Sequence, residues 1–453
     1  MPDPLSQYPL LDALIGRRSR RFGKGMRLNG GPLAYDSRQV PQPLTLEEEA
    51  ALAFAACGIT GYALAELPYE SGNAFEAGSG NIMAQFIGRT VASPDALHTY
   101  AVFVINDDGA WMLKRPQDLA RNDYAGLVRL AQEHRFTEWY EKTRVRIADH
   151  RLDIPREVPF THPFNKYSAN VAGTTYFLPV AELTASYING LLFAFSEEFG
   201  GFWIDDRNWF LPAGIGKFAR SRGGHLHDNL KDGRSAPLSF VETWLYEVAT
   251  IEQGGILQNL GLMTQALGLG GFPHFGGHPY IWFQTLGFRM KDVPASQVAG
   301  GGAVARALAN VLGLNIAIPT AVGLERNGQV LMQPYSPPYY RNMEEAVLAF
   351  VDFKYAQGTG TLHDGGFATA WNDGAAIQSG IPRYSDEAIE ATIAFCEYVY
   401  KRYGRFPATS GPFRSLLAYQ AHHLDEDFYT RFYRPATLSE TQIEHSARWH
   451  SHT

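Results

Sequence analysis

Apolar positions recur along this chain with two different periods, and the switches between them mark its elements. Between Tyr8 and Phe22, Leu10, Leu11, Leu14 and Ile15 give a short amphipathic helix that runs into a very basic end, Arg17-Arg18-Ser19-Arg20-Arg21. Pro43-Leu-Thr45 opens a second helix, Leu46 to Ala56, with Thr45 as N-cap and Glu48 completing a capping box; Gly58 stops it. Residues Tyr69 to Pro94 are rich in Gly, Ser and Asn and show no period, so they read as a loop. That loop feeds an apolar run, Thr99 to Ile105, which predicts a buried strand ending at the turn Asn106-Asp-Asp-Gly109. Thr174 to Leu183 predicts another strand and Ser186 to Phe199 a helix, followed by the Trp- and Gly-rich segment Gly200 to Gly216 and a surface loop from Arg220 to Pro237.

The longest periodic stretch runs from Val241 to Gly268, with Leu245, Val248, Ala249, Ile256, Leu260, Met263 and Leu267 on one face. A further helix, Ser296 to Leu312, precedes two strands, Asn315 to Val322 and Gln329 to Met332, around the turn Glu325-Arg-Asn-Gly328. The remainder reads as mainly helical and aromatic, and no segment repeats.

Composition narrows the class. The 453 residues are 45% hydrophobic and 13% aromatic, enough for a large core of about two to three domain-equivalents. A net charge of −7 with both signs dispersed argues against a general nucleic-acid or anionic-membrane binder. The two cysteines, Cys57 and Cys396, form no CxxC pair, which argues against a zinc ribbon or a disulfide framework and makes a reducing compartment natural. The N-terminus lacks an apolar core behind a basic start, and no run of about 18 apolar residues follows, so the expectation is a cytoplasmic protein.

Two constellations carry candidate chemistry. The arginines and hydroxyl of Arg17 to Arg21 offer the planar, bidentate hydrogen bonding that a phosphate favours, although basic clusters are more often solvated faces. In Glu252-Gln-Gly-Gly-Ile-Leu-Gln258-Asn259-Leu260, two glycines inside a helix cost about 1 kcal/mol each relative to Ala, so they permit the close approach of something flat or of another helix.

Together these segments resemble the nitroreductase superfamily. Arg17, Arg18, Ser19 and Arg21 match its Arg-x-Ser-x-Arg segment, whose side chains hold the FMN phosphate and ribityl chain, while Arg20 falls where the family varies. Arg89 to His98 resembles a Pro-Ser-x-Gly-x-Leu-His segment that lines the flavin in the branch that oxidises azolines in peptides; Ser93 is the matching position, Ala92 replaces the Pro and Asp95 the Gly. Gln258 to Gly270 is similar to the family's Gln-Asn-Leu-x-Leu-x-x-x-Ala-x-Gly-Leu-Gly run, and Glu252-x-Gly254 to the Glu-x-Gly-His before it, with Gly255 in place of the His. The resemblance implies that Pro273, His274, Phe275 and Gly276 form a loop against the flavin ring that supplies a backbone N–H. It also makes Arg341, in a segment running to Met343-Glu-Glu-Ala-Val347, a second phosphate ligand.

The implied protein is an α+β, nitroreductase-like three-layer sandwich with a central antiparallel or mixed sheet flanked by helices. It spans residues 1–350 with insertions at about 65–95 and 185–240, and residues 351–453 form a mainly helical extension. FMN would sit at a homodimer interface and exchange hydride with a small-molecule or peptide substrate, with NAD(P)H or the substrate itself as donor. The azoline-oxidising branch also carries a Lys-Tyr-Gly-Glu-Arg run, where this chain has Trp244-Leu-Tyr246-Glu247. The alternatives are a non-redox binding protein on the same fold and a histidine-based metalloenzyme. His225-Leu-His227-Asp228 and His274-Phe-Gly-Gly-His278 have metal-donor side chains but no recognised ligand spacing, so no metal site is expected. Phe202-Trp203, Trp209-Phe210 and Tyr280-Ile-Trp282-Phe283 read as core, dimer interface or a lid over a planar substrate. His422-His423-Leu-Asp425-Glu-Asp427 reads as a solvated helix end without chemistry.

Overall fold

A computed structural model describes residues 5–65, 82–276 and 278–450. Part of the Gly/Ser/Asn-rich stretch and Gly277 lie outside the described residues.

The chain is α+β, with a central antiparallel sheet flanked by helices. Its principal strands are β1 (Tyr100–Asn106), β2 (Gly109–Leu113), β3 (Arg144–Ala148), β4 (Thr174–Glu182), β5 (Gly270–Phe275) and β6 (Leu417–His422), in the order β5-β6-β4-β1-β2-β3. Phe413–Arg414 adds a short pairing to β4. The apolar run at Thr99 to Ile105 shows no alternation because both faces of β1 are covered. Tyr100, Val102 and Val104 enter one core cluster, and Ala101, Phe103 and Ile105 enter another.

On the first face lie α2 (Leu46–Cys57), preceded by α1 (Leu10–Gly16) at its outer margin, then α3 (Thr184–Ala194) and the 29-residue α4 (Leu238–Ala266), backed by α5 (Met343–Tyr355) and α6 (Asp386–Tyr403). The second face is closed by the helix Pro279–Thr285 and a separate three-stranded sheet, Phe288–Pro294, Ala317–Arg326 and Gln329–Met332. Two local expectations hold closely. The Thr45–Glu48 capping box is present at α2, and Leu245, Ala249, Ile256 and Leu260 of α4 are buried in the first core.

Several elements differ from the sequence reading. The first helix ends at Gly16, and the arginines after it continue in an extended segment bridged to β5, where Arg20 N–H donates to the Gly271 carbonyl at 3.2 Å. The segment Ser296 to Leu312 divides into Ala295–Val298 and Ala303–Val311, because Gly300 takes a positive φ of 77° that a continuing helix cannot use. Ile87–Arg89, read as loop, pairs with Ile59–Tyr62. Above all, residues 351–453 are not only helical: they supply β6, which sits between β5 and β4 inside the central sheet. Sequence periodicity could not show this pairing, since its partners lie about 150 and 240 residues upstream.

Candidate functional site

A cavity of about 500 Å³ opens where the α1–β5 bridge, α4 and the ends of β5 and β6 meet. Its floor is one face of α4: Gly254, Leu257, Gln258 and Gly261 occur at the i, i+3, i+4, i+7 spacing of a single helical stripe. The paired glycines of this helix do different jobs. A Cβ at Gly255 would lie 2.7 Å from Val91, so that glycine lets the helix pack, whereas a Cβ at Gly254 would meet nothing within 4 Å and faces open space.

Arg17 and Arg21 form one wall. The Arg17 side chain lies along the helix, with its Cδ 3.3 Å from where a Gly261 Cβ would stand, so a larger residue there would push it aside. Arg21 donates to Asn165 Oδ1 at 2.7 Å and to the Phe164 carbonyl at 3.2 Å, and its guanidinium lies 4.4 Å from the centre of the Phe272 ring. Its buried Nε has no hydrogen-bond partner. In extended backbone successive side chains alternate, so Arg20 points the other way. There it is buried and donates to the Thr437 carbonyl and Gln265 Oε1, a structural anchor outside the cavity.

Pro273, His274 and Phe275 form the opposite wall with Phe164, Asn165, Leu417 and Tyr419. His274 is buried, its Nδ1 lies 2.9 Å from the Phe275 carbonyl, and its Nε2 has no partner. A carbonyl only accepts, so Nδ1 carries the proton and Nε2 is left as an acceptor. Burial pushes the imidazole down to about 4, and the nearby Arg21 and His162 add to that, so it is neutral at pH 7. Among the described residues two guanidiniums and no carboxylate line the cavity, which gives it the electrostatics of an anion site with an amide-bearing, partly apolar interior.

The structure therefore brings Arg17, Arg21, Gln258, Pro273, His274 and Phe275 to one cavity. Arg18, Ser19, Ser93 and Arg341 are elsewhere. Arg18 is exposed and donates to the carbonyls of Ile15 and Arg17 at the end of α1, and Ser19 is exposed beside it. Ser93 caps a turn with Asp95 and the His98 N–H. Arg341 pairs with Glu345 at 3.0 Å, its side chain 89% exposed. Residues 273–275 belong to a strand, not a loop, and Gly276 N–H donates to the Leu416 carbonyl; Pro273 has no N–H to offer. Sequence reasoning missed Asn165, Leu417 and Tyr419, although Leu417, Tyr419 and Ala421 alternate as one face of a strand.

The other histidines singled out in the sequence lie outside this cavity. His225 contacts the Phe195 carbonyl, and His227 contacts Asp232 and Arg234. His422 and His423, read as a solvated helix end, are buried at the end of β6, because that strand runs through the middle of the sheet.

No family model and no curated protein matches this chain. Among solved structures, that of a proposed nitroreductase from Ralstonia eutropha is similar to it, with 16% identity, 63% of this chain and 79% of that chain covered, and a TM-score of 0.28. Likeness at that level transfers no activity. Among the described residues no helix is long and apolar enough to cross a membrane.

Proposed function

We propose that this protein is an FMN-dependent oxidoreductase whose cofactor occupies the cavity between Arg17, Arg21 and the glycine-bearing face of α4. The observation that carries the reading is the pairing of two guanidiniums with the open helix face at Gly254, in a cavity large enough for a mononucleotide and, among the described residues, free of carboxylates. Arg17 and Arg21 would hold the phosphate, and the amides of Gln258 and Asn165 would fix polar edges. The open face at Gly254 would accept a flat ring, bounded by Pro273 and Phe275 of β5. Bound FMN would supply hydride transfer, and the protein would set its orientation and decide what stacks on it.

The electron donor in this reading is NAD(P)H or the substrate itself, and the substrate is a small organic molecule or peptide. A homodimer fits the same picture. Leu10, Leu11 and Ile15 of α1 are 66%, 65% and 64% exposed, which leaves an apolar helix face that a second copy would cover. Peptide azoline oxidation is not proposed, since the Lys-Tyr-Gly-Glu-Arg run of that branch is missing.

The test is an FMN titration followed by flavin fluorescence on wild type, Arg17→Ala and Arg21→Ala. Each substitution removes charge-assisted hydrogen bonds worth about 1.5–3 kcal/mol, so affinity should fall by about 10- to 150-fold. Unchanged affinity in both variants would remove the arginines from the site. No binding by wild type would favour a non-redox binding protein.

A further inference from the structure

Away from the cavity, four donor side chains from opposite ends of the chain converge on one point. Glu48 stands in the first turn of α2, His423 directly follows β6, His445 opens the last described helix, His445–Trp449, and His450 ends it. Their ligand atoms all lie within 4.8 Å of one another. His450 Nε2 is 3.1 Å from Glu48 Oε1 and 3.1 Å from His445 Nε2. His445 Nε2 is 3.2 Å from Glu48 Oε1, and His423 Nε2 is 3.5 Å from Glu48 Oε2. A tetrahedron with metal–ligand bonds of about 2.0–2.1 Å has edges of about 3.4 Å, so these separations match the donor spacing of a four-coordinate ion.

The rings agree with that arrangement. The three imidazole centroids form a near-equilateral triangle with sides of 5.0, 5.5 and 5.0 Å, and the rings are inclined at 68°, 59° and 58° instead of stacked. His445 Nδ1 lies 2.7 Å from the Leu267 carbonyl, which fixes the proton on Nδ1 and leaves Nε2 as a lone pair aimed at the shared centre. His423 is 2% exposed, and its buried Nε2 makes no close hydrogen bond beyond the 3.5 Å approach to Glu48 Oε2. Glu48 also accepts from Thr45 N–H at 2.8 Å, so its carboxylate is oriented by the helix cap.

We propose that Glu48, His423, His445 and His450 form a binding site for one divalent transition metal of the zinc class, which clamps the C-terminal helix to α2 and the end of β6. Three imidazole nitrogens and one carboxylate oxygen suit Zn²⁺, and Co²⁺ would substitute for it. Four protein ligands complete a tetrahedron, so the site is structural and leaves no position for substrate. The clamped segment also carries Thr437 and Ser439, whose groups hold Arg20 and Gln265 at the base of the Arg17 to Arg21 segment.

The experiment uses full-length, tag-free protein stripped with a chelator and dialysed free of it. Zn²⁺ is titrated by calorimetry and the thermal midpoint measured with and without it, for wild type, His445→Ala and His450→Ala; His450, the more exposed of the two and outside the helix, makes the second variant the safer one for folding. The expected result is one equivalent bound by wild type with a raised midpoint, affinity at least tenfold weaker in His450→Ala, and strong visible absorption of four-coordinate Co²⁺ in flavin-free wild type only. Wild type that binds neither Zn²⁺ nor Co²⁺, or that binds no better than His450→Ala, overturns the proposal. The readout is independent of flavin binding.

Discussion

Gly254→Leu separates the proposed ligand from the fold that holds it. Gly254 lies in the interior of a 29-residue helix, and a Cβ there meets nothing within 4 Å, so the substitution creates no clash in the ligand-free chain. Replacing an interior helical glycine by a good helix former stabilises the helix by about 0.8 kcal/mol. With an unfolding entropy of about 2.1 cal/mol/K per residue, a chain of this length gains about 1 °C in its melting midpoint. The same isobutyl group stands on the floor of the 500 Å³ cavity. If a planar ring lies across Gly254, overfilling that space costs about 1–3 kcal/mol, a 5- to 150-fold loss of FMN affinity. The two observables thus move in opposite directions, which no general damage to the protein imitates. The assay is a fluorescence titration with FMN beside a thermal melt of the flavin-free protein. A variant that melts at or above the wild-type temperature and binds FMN as tightly as wild type would refute the placement of the ring on this helix face.

Other expectations follow from single residues. The unfolded chain protonates a histidine near 6.5, but buried His274 resists protonation until about 4. Between those values the unfolded state binds more protons, so wild type should lose on the order of 3 kcal/mol as the pH falls across the window, and His274→Asn should lose less; denaturant midpoints at pH 7 and pH 4.5 measure the difference. Thr45→Ala removes the hydroxyl that accepts from Glu48 N–H at 3.2 Å and should cost about 1 kcal/mol in urea unfolding, with an unchanged midpoint contradicting the cap's role.

What the sequence disclosed and what it withheld divide along a physical line. Local patterns carried the α2 capping box, strand β1 with the turn that ends it, and the buried stripe of α4, because caps, turns and periodicity are properties of neighbouring residues. Arg17, Arg21, Gln258 and His274 were legible as a group through resemblance, and they do line one cavity. Arg18, Ser19, Ser93 and Arg341 matched a pattern yet point elsewhere, since a motif fixes residue type but not the backbone turn that aims it. Gly254 and Gly255 look alike in the sequence; only packing distinguishes the one against Val91 from the one facing the cavity. Strand β6 and the Glu48–His423–His445–His450 cluster were hidden for one reason. Each is assembled across roughly 150 to 400 residues, where loop closure by the whole fold, not local pattern, makes the contact.

The most direct test of the account is to denature freshly purified protein and identify whatever chromophore it releases. FMN is the expected release or, if the cofactor is lost in purification, saturable uptake of one FMN per chain with a yellow spectrum that bleaches on reduction. A colourless protein that neither releases flavin nor takes up added FMN would contradict it.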